Sequence, residues 1–320
     1  MYNLIRFFNQ NKKNIIRIIL IIVFILLLIQ GLNFLAKNNF FKKRYVKKNQ
    51  YDNVELNENT LISKDSVISG KEVDKAKLKS ATDIINLFFD YCNSQNIEAA
   101  YDMLTDECKE EMYPSIEEFK RIYYDSLFDD GNKTITIENW FDGTYQVRIT
   151  GDILSSGKLD GNQTKQDYVT VVEQNNEYKL NINNYVGRVK PKTQTTIYDN
   201  VDVTVDKIDT YMDYEIYTIS VKNNTKNSIL LDTGENTKSI YLLDKNNVKY
   251  YFYSNEILKN KLIIQSQYSN SLKIKFASPY SSTKKIKSIV FSRFVSNYDK
   301  YKNIDNKEDY SEFELCKVNV

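Results

Sequence analysis

Ser281-Ser-Thr-Lys284 puts a hydroxyl and an amine at Ser-x-x-Lys spacing, where one helical turn would let the amine take the hydroxyl proton. The tetrad follows Pro279 in a strand-rich stretch with no Lys-Thr-Gly partner, so it reads as a surface turn. Gly234-Glu-Asn-Thr-Lys-Ser239 ends like a phosphate loop but lacks the second glycine before Lys238. Without it, backbone amides cannot close around a phosphate. The pairs Glu110/Glu111 and Glu117/Glu118 are sequence neighbours that point in different directions on a helix, which suits a solvated face. Asp129, Asp130 and Asn132 lack the spacing of a twelve-residue calcium loop and read as a turn.

The chain contains no histidine, which removes imidazole triads, His-rich metal sites and imidazole proton shuttles. Cys92, Cys108 and Cys316 are too few and too far apart for a zinc cage or a disulfide framework. Cys92 and Cys108 fall on apolar helical stripes, where a thiol behaves as a small buried hydrophobe. A disulfide between their two helices is the alternative outside the cytoplasm. No catalytic residue, metal ligand or cofactor-binding residue is assigned, and an enzyme would need carboxylates alone for its acid–base work.

The elements that would carry any site are divided by charge. Of 44 basic residues, ten fall among residues 1–50 with no acid, leaving 34 basic against 42 acidic side chains, a net of −8, in the rest. Ile18–Ile29 is unbroken apolar sequence, and the run from Ile15 to Ala36 supplies about the 20 residues that cross a bilayer core. A basic arm beside such a run suits anionic lipid headgroups rather than nucleic acid. Ile18, Leu20, Phe24, Leu27 and Ile29 are the expected anchor, and Arg6, Lys12, Lys13, Arg17, Lys42, Lys43 and Arg44 the expected headgroup contacts. A cleaved signal peptide is the alternative, but no small-x-small cleavage site follows. Both flanks are basic, so the positive-inside rule does not decide orientation. A short tail before a large following region favours a cytoplasmic N-terminus and extracytoplasmic C-terminal domains.

The expected order is a basic tail (1–14), a transmembrane helix (15–36), a stalk or linker (37–79), an α+β domain (80–190) and an all-β domain (191–320). Ser80-Ala-Thr-Asp83 resembles a helix N-cap box, followed by the stripe Ile84, Ile85, Phe88, Cys92. A second helix fits Ile97–Leu104, extending toward Cys108, and a third fits Ser115–Leu127 with Pro114 in its first turn. Four alternating segments follow around Ile135/Ile137, Tyr145/Val147/Ile149, Tyr168–Val172 and Tyr178/Leu180/Ile182, with turns at Asp142-Gly143 and Asn175-Asn176. Helices first and an antiparallel meander second predict helices on one sheet face. Beyond Pro191, Val201/Val203/Val205, Tyr217/Ile219/Val221, Ile240–Leu243, Val248–Tyr253, Leu272/Ile274/Phe276 and Ile289/Phe291 predict a β-sandwich.

The phrase running from Ile84 through Ala99-Ala-Tyr-Asp-Met-Leu-Thr105 resembles the opening of nuclear transport factor 2-like domains. That resemblance implies a pocket under the long helix, for which Ile85, Phe88, Phe89 and Trp140 are the lining candidates. Tyr217-Thr-Ile-Ser-Val-Lys-Asn-Asn-Thr225 and Tyr241-Leu-Leu-Asp-Lys-Asn-Asn-Val-Lys-Tyr250 resemble the immunoglobulin-like domains of bacterial envelope proteins. Tail, single span, stalk and first domain together resemble bitopic assembly components of type IV secretion and Gram-positive conjugation machines. The first domain also resembles the non-catalytic N-terminal module of some cell-wall transpeptidases. The expectation is a non-enzymatic, membrane-anchored scaffold that binds the bilayer and other envelope proteins. The alternative is a small-ligand receptor using the first domain's pocket.

Overall fold

The computed structural model describes residues 61–63, 66–68, 75–129, 131–151, 164–198, 200–254, 256–307 and 310–320. The expected membrane anchor and all the expected headgroup contacts lie outside these residues. Among the described residues no helix is long and apolar enough to cross a membrane.

The chain opens with a short strand β1 (Leu61–Ser63) and the helices α1 (Lys75–Asn93), α2 (Ile97–Asp102) and α3 (Asp106–Met112). A fourth helix, α4, runs as Ile116–Phe119, a π-turn Lys120–Tyr124, and Asp125–Phe128. Ser80–Asp83 does not cap α1. It lies inside the helix, because the apolar stripe extends back through Leu78 and Ala81, and the Thr82 hydroxyl donates to the Leu78 carbonyl. The single second helix expected over 97–104 and beyond is two helices. The Leu104 backbone leaves helical geometry to bridge Leu180, and Thr105 then caps α3 by accepting from Cys108 N–H. Ser115 caps α4 in the same way, accepting from Glu118 N–H, so Pro114 stands outside the helix.

A meander follows: β2 (Lys133–Phe141), β3 (Thr144–Gly151), β4 (Lys165–Gln174) and β5 (Glu177–Asn181). Asp142 and Gly143 (φ 43° and 82°) and Asn175 and Asn176 (φ 55° and 64°) take the left-handed conformations that two-residue hairpins require. The sheet order is β1-β2-β3-β4-β5, with β1 parallel to β2. Residues expected in the stalk therefore contribute an edge strand to the first sheet, and Ser66 and Val67 continue the contact by donating to Trp140 and Asn139 carbonyls. Ile84, Ile85, Phe88, Phe89 and Cys92 of α1 are buried over the face carrying Ile137 and Val147. Phe88, Phe119, Tyr123 and Tyr113 form a chain of ring contacts that joins α1 to α4.

The second half contains β6 (Tyr185–Val189), β7 (Thr193–Ile197), β8 (Val201–Tyr211), β9 (Glu215–Asn223), β10 (Ile229–Leu230), β11 (Ile240–Asp244), β12 (Lys249–Tyr251), helix α5 (Glu256–Lys261), β13 (Ile263–Ile264), β14 (Ser269–Phe276), β15 (Ile286–Phe294), helix α6 (Tyr298–Lys302) and β16 (Glu314–Asn319). One sheet has the order β14-β9-β8-β6, with β7 also on β8; another runs β12-β11-β15-β16. Val203, Val205, Ile219, Val221, Leu242, Ile274, Ile289 and Phe291 belong to one buried apolar cluster. The expected strands are present. Strand β6, on the first-domain side of residue 190, hydrogen-bonds into the second half's sheet. All described residues fall in one compact unit, a mixed helix and antiparallel-sheet, α+β architecture.

Candidate functional site

The densest polar constellation joins α3 to the β14-β9-β8-β6 sheet. Along β8, Val201, Val203 and Val205 alternate into the core. A bulge then inserts Asp206, so that Lys207 rather than Asp206 faces Thr218 on β9. One extra residue reverses the alternation and sends Lys207 and Asp209 to the outer face. Arg188 stands opposite Asp209 on β6, and Lys273 stands opposite Thr218 on β14.

Onto this row α3 lays Glu110 and Glu111. Arg188 Nε donates to Asp209 Oδ1 at 2.6 Å, its Nη2 donates to Glu111 Oε2 at 3.0 Å, and Nη1 lies 2.7 Å from Glu110 Oε2. Lys207 Nζ lies 3.4 Å from both glutamates, and Lys273 Nζ is 3.4 Å from Glu111 Oε1. Tyr185 donates its hydroxyl to Asp209 Oδ1 at 2.9 Å. The side chains of Arg188 and Asp209 are 1% and 0% exposed. Burial works against the Arg188 charge, but the hydrogen bond and charge of Asp209 more than offset it and raise its pKa. Three cations meet three carboxylates, so the cluster is electroneutral. The solvated face expected for Glu110/Glu111 is thus corrected for Glu111, which is nearly buried and ion-paired, because β6, β8 and β14 bring Arg188, Lys207 and Lys273 to it across the sheet; Glu110 stays largely exposed.

The other sequence candidates are spoken for. Lys284 turns away from Ser281 and donates to Ser278 Oγ at 2.6 Å while pairing with Glu215 at 3.2 Å, and both of these partners are buried. Ser281 is exposed and shares a hydrogen bond with Thr283. The Gly234–Ser239 loop wraps around Asp232, which accepts from Gly234 N–H, the Ser239 hydroxyl and Arg293 N–H. Gly234 sits at φ +65° with Lys259 and Leu262 against the place a Cβ would take. Cys92, Cys108 and Cys316 are buried free thiols, so Cys92 and Cys108 are not paired. Burial pushes the Cys108 and Cys316 thiols up to about 12. Among the described residues no group of three or more Cys, Asp or Glu is placed to hold a metal ion.

Two cavities lie between helices and sheet in the first half. One, of 440 Å³, is bounded by Lys77, Ser80 and Ala81 of α1 and by Gly143, Tyr145, Val171, Glu173 and Tyr178. Burial, with the Tyr178 phenol beside it, pushes the Tyr145 hydroxyl up to about 12. The other, of 300 Å³, lies beside the π-turn of α4 and reaches Asp167. Asp167 accepts from the Tyr123 hydroxyl and from Asn183 and Asn184 N–H, each at 3.0 Å. Burial raises its pKa against those three donors. Among the described residues it is the single carboxylate on that cavity's wall. The expected lining residues sit elsewhere. Ile85, Phe88 and Phe89 are sealed in the core, and Trp140 packs edge-on against Tyr168, 5.2 Å away, on the face opposite the helices. Counting an apolar stripe identified the helix face that fills the core; the cavity lies one helix turn earlier, where side chains shorten to Ser80 and Ala81.

No family model matches the chain. No curated protein matches it either. Among solved structures it is similar to the yjhA protein from Bacillus subtilis, with 14% sequence identity and a TM-score of 0.27, over 40% of this chain and 98% of that one.

Proposed function

We propose that this protein is a non-enzymatic, single-pass envelope protein whose two C-terminal modules face outward as a binding and scaffolding ectodomain. The observation that carries this reading is the buried cluster of Arg188, Asp209 and Glu111, which fastens the helical module to the sandwich. A fastened pair of modules presents its surfaces at fixed spacing, which serves assembly. Lys284, the candidate base, is meanwhile held by Ser278 and Glu215, and the three thiols are buried. In this reading residues 80–190 are a nuclear transport factor 2-like module, residues 191–320 an immunoglobulin-like one, and residues 15–36 a permanent tether with the N-terminus in the cytoplasm. A place in a secretion or conjugation machine follows from that layout.

The test is protease treatment of intact protoplasts, then crosslinking and detergent pulldown. Digestion of residues 50–320 and recovery of stoichiometric membrane partners is the expected result. A protected ectodomain, or turnover of a substrate by the purified chain, would overturn the proposal. A second reading, an extracytoplasmic small-ligand receptor, draws on the 440 Å³ cavity, whose size falls in the range of small-molecule sites.

A further inference from the structure

The 440 Å³ cavity holds polar groups that the fold itself leaves unused. Tyr145 is 1% exposed, yet its hydroxyl makes no hydrogen bond among the described residues. On the same wall the half-buried Tyr178 hydroxyl and the exposed Glu173 carboxylate also make no hydrogen bond or ion pair among the described residues. The Tyr145 ring is buried, but its hydroxyl is not among the sealed unpaired polar atoms; it reaches the open space of the cavity, where a ligand could meet it. Tyr113 shows the contrast: its unpaired hydroxyl is sealed in the core, whereas Tyr145 opens onto a space large enough for a ligand.

We propose that this cavity binds a neutral, hydroxyl-rich ligand: one or two sugar units of a glycan. This rests on the receptor reading and names its ligand class. A phenol both donates and accepts, and a carboxylate accepts, so the wall offers the mixed pairing that vicinal hydroxyls satisfy. The tyrosine rings with Ala81 and Val171 supply apolar surface for the C–H face of a pyranose. Lys77 and Glu173 border the same space with opposite charges, so neither an anion nor a cation is favoured over a neutral ring. Lys77 and Ser80 already have contacts within the protein and are not required to give them up.

The test uses the full chain in a detergent without a sugar headgroup and reads saturation-transfer difference NMR. The probes are glucose, N-acetylglucosamine, maltose and chitobiose, with benzylamine and benzoate as charged controls. Transfer to the ring C–H protons of at least one sugar is expected. Tyr145→Phe, which keeps the ring and removes the hydroxyl, should weaken that binding about tenfold, the scale of one lost hydrogen bond. Glu173→Gln should weaken it by a smaller factor, with the melting temperature unchanged in both variants. Sugar binding that neither variant alters would overturn the assignment of the site. Binding of a charged control but no sugar, abolished by Val171→Trp, would overturn the ligand class and leave the receptor reading standing. No binding by any probe would overturn both.

Discussion

The two halves of the molecule solve the same burial problem with different leftovers. In the first, a long helix lies across one twisted sheet, and a cylinder on a saddle leaves gaps where short side chains meet strand ends. Both described cavities fall there, with Tyr145 and Asp167 on their walls. In the second, Val, Ile, Leu and Phe side chains from two sheets join in one buried apolar cluster. The two-sheet half supplies a packed base; the helix-on-sheet layer supplies space. Where the halves meet, the β14-β9-β8-β6 sheet turns charge outward and α3 answers with carboxylates.

That contrast can be broken most directly at the junction. Arg188→Met leaves Asp209 and Glu111 buried with less compensating charge, and removing one partner of a buried pair costs about 3–5 kcal/mol. Urea unfolding of the variant should separate into two transitions, one for each half; a single transition displaced by less than about 1 kcal/mol would show that the ion cluster is not what joins them. Thr105→Ala tests the helix that carries the carboxylates. Thr105 accepts from Cys108 N–H and also hydrogen-bonds Asn181, so its loss should cost about 1 kcal/mol in the same assay.

The smallest effect is expected at Asp167, where it shows only in the shape of a pH profile. Its pKa is raised in the folded state, so the folded chain holds that proton where the unfolded chain has released it. Stability therefore falls as pH rises from the ordinary carboxylate range, about 3.9, through the raised folded value. Urea midpoints of D167N, measured stepwise over the same range, should lack that descent. A descent equal to wild type would assign it to another group.

Much of this architecture was legible. Asp142-Gly143 and Asn175-Asn176 marked two hairpins because only turns of that kind tolerate successive left-handed residues, and both do adopt them. The α1 stripe and the six strand segments of the second half follow from periods of 3.6 and 2. What escaped was non-local. The Asp206 bulge is invisible to a period-2 count, yet it decides that Lys207 and Asp209 face α3. Strand β1 is three residues long and gains its identity only from pairing with β2. Ser80–Asp83 carried the local chemistry of a cap, and burial of Leu78 overruled it. The Asn183-Asn184 pair, with φ of 58° and 64°, is the signal that could have located the crossing from the first sheet to the second half's sheet, since the same dipeptide had already marked a turn eight residues earlier.

That junction also fixes where the chain can be cut. Only Ile182, Asn183 and Asn184 separate β5 from β6, and Asp167 grips the turn from behind. A fragment ending at 190 would carry away a strand belonging to its neighbour's sheet, with a guanidinium stripped of its Asp209 partner. One starting at 191 would expose a raw β8 edge and an orphaned aspartate. Truncation, permutation or fusion has to respect the three-residue crossing, and the molecule is best handled by its seams rather than by its proline.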